Sequence, residues 1–189
     1  MLVEIIIPTY NRIDLLRCML ASLMAQTCPN WIATVVIDNP EDYGGITEMI
    51  SDLNCPNIPY PIILKERAND FGHTPREIGK QASTADYIVM SGDDNYYTPN
   101  FIQELQNIKD NPGVIYWDMV HSHYDYQYFE CTLGNHRIDM GAFATRRDIA
   151  QSIELHKSFA ADGEFVEEIE AKYPKEEKIK IKKILFVHN

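Results

Sequence analysis

Long apolar runs are missing from this 189-residue chain. Nothing approaches the roughly 18 consecutive apolar residues that a membrane-crossing helix requires. The opening segment, residues 2–8, is too short for a secretory leader and carries an acid at Glu4, which predicts a cytoplasmic protein. Cysteine is sparse as well. Cys18, Cys28, Cys55 and Cys131 form no C-x-x-C pair and no dense framework, which argues against the common zinc modules and a disulfide scaffold and predicts reduced thiols. Cations are outnumbered, 17 Lys and Arg to 28 Asp and Glu, for a formal net charge of −11. A phosphate backbone would be repelled over most of such a surface, so no nucleic-acid partner is expected. A small anionic ligand stays open if a metal or a local cation neutralises it. Repeats, linkers and low-complexity tracts are also absent, and the length suits one domain over residues 1–189.

What is present reads as alternating strands and helices. "LVEIIIP" is a β-branched run ended by proline, the pattern of a strand buried on both faces. In "NRIDLLRCMLASLMAQT" the residues Leu15, Leu16, Met19, Leu20 and Leu23 recur at helical spacing, with Asn11 available as N-cap. "WIATVVID" predicts a second strand, a loop holding Pro40, Gly44 and Gly45 follows, and 46–53 a short helix. "PYPIILKE" predicts a third strand, "HTPREIGKQAS" a helix and "ADYIVMSG" a fourth strand; the next helix starts near Pro99. This order predicts an α/β domain with a mostly parallel central sheet flanked by helices. Beyond Gly113 the Tyr-rich alternation of "GVIYWDMVHSHYDYQYFE" predicts antiparallel strands, followed by helices around "RRDIAQSIEL" and "ADGEFVEEIEAKY" and a closing strand in "KIKIKKILFVHN".

Ligands of an open parallel sheet bind beyond the carboxyl ends of its strands. Polar residues collect there repeatedly: Thr9, Tyr10, Asn11 and Arg12 after strand one, Asp38 and Asn39 at the end of strand two, Asp93, Asp94 and Asn95 after strand four. Each group alone has a plain alternative as a turn or cap. Together, clustered carboxylate and amide oxygens are hard ligands suited to Mg²⁺ or Mn²⁺ beside phosphate oxygens. Such an ion would let an acidic protein hold a diphosphate and assist its departure.

The succession "VEIIIPTYNR", "VVIDN" and "ADYIVMSGDDNYYTP" resembles the family 2 glycosyltransferases of the GT-A fold, which open with a strand ending P-x-Y-N-R and carry a D-x-D metal motif after strand four. "DMGAFATRRDI" resembles their acceptor loop and its following helix, "AADGEFVEEI" the segment carrying the catalytic acid, and "LFVHN" the strand bearing a metal-binding histidine. The resemblance implies a nucleotide-binding half over 1–100 and an acceptor-side half over 101–189. It implies transfer of a sugar, with inversion, from a nucleoside-diphosphate sugar, UDP-linked by expectation, to a hydroxyl acceptor with Mn²⁺ or Mg²⁺. Pro8, Thr9, Tyr10 and Arg12 would line the nucleotide pocket, Asp38 would hydrogen-bond the base, and Arg76 would lie near the nucleotide or else be a solvated helix residue. Asp94, Asn95 and His188 would hold the metal, with Asp93 beside them on the nucleotide. Asp162 would be the general base. Acceptor contacts are expected from Trp117, Asp118 and Gly141.

Departures from the pattern keep alternatives in play. Gly92 replaces the first metal-motif acid and Ala161 the acid before Asp162, so Glu164 stays as a second candidate base and a catalytically silent nucleotide-sugar or carbohydrate binder as a second function. A nucleotidyltransferase on a similar scaffold is a third, although "PTYNRID" lacks the glycine- and lysine-bearing loop it would need. The chain is also short for the family, leaving little room for an elaborate acceptor domain. His121 and His123 would share a strand face and mimic a metal pair, yet no third ligand is near them in sequence, and a half-exposed strand accounts for them equally. Arg146 and Arg147 would either clamp an anionic group or decorate a helix start.

Overall fold

Strand β1 (Val3–Thr9) is buried along its whole length, and its neighbours explain the run of β-branched residues. It pairs in parallel with β2 (Trp31–Ile37) on one side and β4 (Tyr87–Met90) on the other. Ile5, Ile6 and Ile7 are fully excluded from solvent, each worth about 1.5–3 kcal/mol of apolar burial. The computed structural model describes residues 1–41 and 43–189.

Between these strands lies α1 (Ile13–Met24), which buries Leu16, Met19, Leu20 and Leu23 along one face. Asn11 does not cap it. Arg12 holds the cap position without a side-chain bond, while Asn11 sits at φ 51° and accepts a hydrogen bond from Asn39 Nδ2 at 3.0 Å. Helix α2 (Tyr43–Leu53) begins earlier than expected and takes in Gly44 and Gly45; Asp42 of the expected loop lies outside the described residues. Strand β3 is only Ile62–Ile63, because Pro59 and Pro61 offer no ladder N–H just before it. It pairs in parallel with β2.

Helix α3 (His73–Ala82) precedes β4. A two-residue strand that the sequence did not announce, β5 (Tyr96–Tyr97), comes next, then α4 (Phe101–Gln106) and the long β6 (Val114–His121). β7 (Gln127–Phe129) folds back on β6. Part of the "DMGAFATRRDI" segment is itself a strand, β8 (Phe143–Arg146), leading into the short α5 (Arg147–Ser152). Helix α6 (Ala161–Lys172) and strand β9 (Lys178–His188) close the chain as expected.

The sheet runs β3-β2-β1-β4-β8-β6-β9-β5, with β7 on β6. β8 is antiparallel to both β4 and β6, and β9 is parallel to β6. Two reversals cancel, so β6 and β9 point the same way as β1, β2 and β4. With β3 parallel to β2 and β5 antiparallel to β9, the carboxyl ends of six strands and the amino ends of β5 and β8 share one edge. No helix among the described residues is long and apolar enough to cross a membrane.

Candidate functional site

That edge holds a cavity of about 880 Å³, within the size range of small-molecule sites. Pro8, Thr9, Tyr10 and Arg12 enter it from the end of β1, Asp38 from β2, Asp94 and Asn95 from beyond β4. Arg76 enters from the first turn of α3, Asp162 from the first turn of α6, and His188 from the end of β9. Residues up to 180 positions apart thus meet at one place because the strands carrying them end together.

One wall is built by Asp38. Its Oδ1 accepts the N–H of Ala68 at 2.7 Å and its Oδ2 that of Asn69 at 3.2 Å, pinning the loop before α3. Next to it the Arg67 guanidinium lies 3.6 Å from the Tyr10 ring centroid, a cation–π stack facing the cavity. Sequence reasoning missed Arg67, since a lone arginine in a loop carries no signal until Tyr10 is placed beside it. Further along the loop, Gly72 has φ 83°, and a Cβ there would stand 2.9 Å from Pro8 Cβ. Only glycine meets both demands. Asp70 caps α3 by accepting from the Thr74 amide and hydroxyl.

At the centre, Arg12 ties two carboxylates together. Its Nη1 reaches Asp94 Oδ2 at 2.8 Å and its Nη2 Asp93 Oδ1 at 2.5 Å. Asp93 itself does not reach the cavity. It is fully buried and accepts the Thr9 hydroxyl at 2.7 Å, so it braces Thr9 and Arg12 from behind in place of the expected nucleotide contact. Burial raises its carboxyl above the ordinary range despite Thr9 and Arg12. The Oδ1 of Asn95 accepts the backbone N–H of Asn189 at 3.0 Å and fixes the end of β9.

The same cavity is lined by a carboxylate pair, Asp162 and Asp139. Burial first, then the charge of Asp139, push Asp162 up to about 7, against the pull of Arg76 and His188. Asp139 is raised too, chiefly by burial, against the Gly141 amide hydrogen bond and Arg76. Sequence reasoning missed Asp139, although it stands inside "DMGAF"; it reaches the edge because the antiparallel β8 begins there. Arg76 is the cation serving the whole cluster. Its Nε donates to Ser91 O at 3.1 Å and its Nη1 to Phe71 O at 3.0 Å, and Asp162, Asp139, Asp93 and Asp94 all act on it.

Three expected acceptor residues lie away from the cavity. Trp117 is fully buried against Phe101. Asp118 is buried and committed to Lys180 Nζ at 2.9 Å, the Cys131 amide and the Tyr128 hydroxyl. Gly141 is packed so tightly that a Cβ would fall 2.5 Å from the Phe186 ring, and Tyr97 donates to its carbonyl at 2.9 Å. Trp117 was expected at the acceptor, but the face of β6 that carries it is closed by Phe101 of α4. Glu164 faces Ser158 and His156 and not the cavity. Arg146 is spent on Asp148 and Glu176, and Arg147 on the Thr84 carbonyl.

His188 looks two ways. Its Nε2 lies 3.4 Å from Asp139 Oδ2 in the cavity, and its Nδ1 lies 3.0 Å from His121 Nδ1 outside it. His123, placed by a 3₁₀ turn over Ser122–Tyr124 and not by the strand, completes a cluster whose ligand atoms lie within 4.8 Å of one another. The third histidine that the sequence did not show near His121 and His123 is thus His188. Burial and the neighbouring histidines hold His121 and His188 below the ordinary histidine range.

A family model described as Glycosyl transferase family 2 matches residues 4–161. An uncharacterized glycosyltransferase of Haemophilus influenzae is 25% identical over 115 residues, 60% of this chain and 36% of that protein. The uncharacterized glycosyltransferase YwdF of Bacillus subtilis is 29% identical over 106 residues, 56% of this chain and 37% of that protein. The match covers little more than a third of the length of these relatives. Among solved structures, S. aureus TarS 1-349 in complex with UDP-GlcNAc superposes with a TM-score of 0.79 at 16% identity over 99% of this chain and 58% of that one. A mannosyltransferase, PcManGT from Pyrobaculum calidifontis in complex with GDP-Man and Mn2+, gives 0.73 at 15% identity over 98% and 56%. At such identities the likeness is one of fold.

Proposed function

The chain belongs to glycosyl transferase family 2 and has the GT-A fold, and from that premise we propose that the cavity binds a nucleoside-diphosphate sugar and passes its sugar to a hydroxyl acceptor. The observation that carries this reading is that Asp162, its carboxyl raised to about 7, lines one cavity together with Asp94 and Arg12. A carboxylate raised in this way retains a strong pull on a proton close to neutral pH. Asp162 accepts the acceptor hydroxyl proton as that oxygen attacks the anomeric carbon. The bond from that carbon to the diphosphate breaks, the nucleoside diphosphate leaves with the electron pair, and displacement from the opposite face inverts the centre.

The other residues divide the donor among them. Tyr10, Arg67 and Asp38 border the position of the base, where the Tyr10 face and the carboxylate suit a flat ring with an N–H such as uracil; UDP in the TarS complexes supports that choice. Arg76 and Arg12 face the phosphates. The donor set also suits a divalent ion: Asp94 offers a carboxylate balanced only by a half-exposed guanidinium, and the amide of Asn95 and the imidazole of His188 line the same cavity. Asp94 would hold Mn²⁺ or Mg²⁺, with Asn95 and His188 bordering that position. Bound there, the ion supplies charge neutralisation to the departing diphosphate. In place of the three buried acceptor candidates, Phe71, exposed at the cavity mouth, offers the apolar face on which a sugar ring stacks.

Turnover tests the proposal. Incubated with UDP-sugars and Mn²⁺, the protein is expected to release UDP, and Asp162→Asn to slow release by about 10²–10⁴-fold while still binding UDP. A protein that binds UDP but releases none from any UDP-sugar would instead be the silent binder that Gly92 and Ala161 leave open.

A further inference from the structure

We propose that His121, His123 and His188 form a second metal site, distinct in chemistry from the carboxylate cavity, that takes Zn²⁺ or a similar first-row ion such as Co²⁺ or Ni²⁺. The backbone builds it. In the parallel β6–β9 ladder Trp117 is opposite Ile181, Asp118 opposite Ile184 and Met119 opposite Phe186, an irregular stretch that absorbs Lys182, Lys183 and Leu185. Beyond it the register brings His188 directly opposite His121, and parallel partners project to the same face. The following 3₁₀ turn returns His123 to the pair, with ring centroids 5.3 Å from His121 and 5.5 Å from His188.

Three imidazoles with ligand atoms within 4.8 Å of one another need only small rotations to close on an ion. Nitrogen ligands at 2.0–2.1 Å from a tetrahedral zinc stand about 3.3 Å apart, and His121 and His188 already approach to 3.0 Å. Imidazole ligands select Zn²⁺, Co²⁺ or Ni²⁺ over Mg²⁺, whereas the oxygens at Asp94 favour Mg²⁺ or Mn²⁺. Three protein ligands leave a fourth position open to water.

His188 also has the support that metal-bound histidines usually have. With Nδ1 on the ion, its Nε2–H faces Asp139 Oδ2 at 3.4 Å, the arrangement of carboxylate, histidine and metal that fixes a ligand's tautomer. The site therefore touches the cavity through one shared residue. Its existence does not depend on sugar transfer, and its test needs no nucleotide.

Titration of the metal-free protein with Co²⁺, read by the visible absorption of the tetrahedral ion, is expected to saturate at one ion per chain, with Zn²⁺ displacing it. His123 is exposed and does not line the cavity, so His123→Ala should keep the wild-type melting temperature and UDP–Mn²⁺ affinity while losing on the order of tenfold or more in Co²⁺ affinity. His121→Asn should lose at least as much. A wild-type protein that gives no tetrahedral Co²⁺ spectrum, or a His123→Ala variant that binds Co²⁺ as tightly as wild type, would overturn the proposal whatever the result with UDP.

Discussion

Asp162 sits in the first turn of a helix, where the backbone dipole favours a charged carboxylate, and yet burial beside Asp139 lifts its carboxyl to about 7. The consequence for pH is twofold. The groups facing it are Asp139, Arg76 and His188, and the rate is expected to climb as pH rises through about 7. Its effect on stability has the opposite sign. A carboxyl whose folded value lies above its unfolded value of 3.8 stabilises the fold below that value and loses the contribution as pH rises through 7. Asp162→Asn should therefore unfold at higher denaturant concentration than wild type at pH 8, by roughly 1–3 kcal/mol, with the gain shrinking to nothing as pH falls towards 4. Gly92 makes a second test at this scale. A Cβ there would fall 2.8 Å from Asp94 Oδ1, an atom at the free end of a side chain. Gly92→Ala should cost less than about 1 kcal/mol of stability, because Asp94 can swing aside, yet weaken UDP–Mn²⁺ binding several-fold in a calorimetric titration.

At the level of elements, the site depends on how strands and helices end. The N-terminus of α3 is set by Gly72 at φ 83°, packed on the Pro8 ring, and by the Asp70 cap. Gly72→Ala meets both a left-handed backbone and a contact with a ring that cannot yield, so a loss of about 2–3 kcal/mol in chemical denaturation is expected, with weaker nucleotide binding as Arg76 shifts. Elements also mark where the sequence was legible. The buried strands β1, β2 and β4 and the helix α1 could be read because burial on both faces, or one apolar stripe, leaves a periodic signature. β5 and β8 could not: β5 is only two residues, β8 ends in Thr145 and Arg146 and is no continuous apolar run, and their pairing partners are about 90 and 30–60 positions away. Trp117 and Asp118 were misplaced for a related reason, since their partners Phe101 and Lys180 come from elsewhere in the chain.

Across the whole molecule, a chain of net charge −11 gathers Arg12, Arg67 and Arg76 around one cavity while leaving Asp38, Asp94, Asp139 and Asp162 in its walls. Arg12, Asp38 and Asp94 could be named from sequence because each follows or ends an apolar run, and such ends meet at one edge of a parallel sheet; Asp162 and His188 were named by the resemblance to the family. Arg67 and Asp139 could not, because they come from a loop and from the start of an antiparallel strand. In the proposed function a divalent cation joins these groups. We propose that this cavity receives a nucleoside diphosphate. Its most direct test is a calorimetric titration of the protein with UDP in the presence of Mn²⁺ and again in EDTA. Saturable binding of one UDP per chain with Mn²⁺, lost in EDTA and in Asp94→Ala, is the predicted result; absence of binding in both conditions would contradict it.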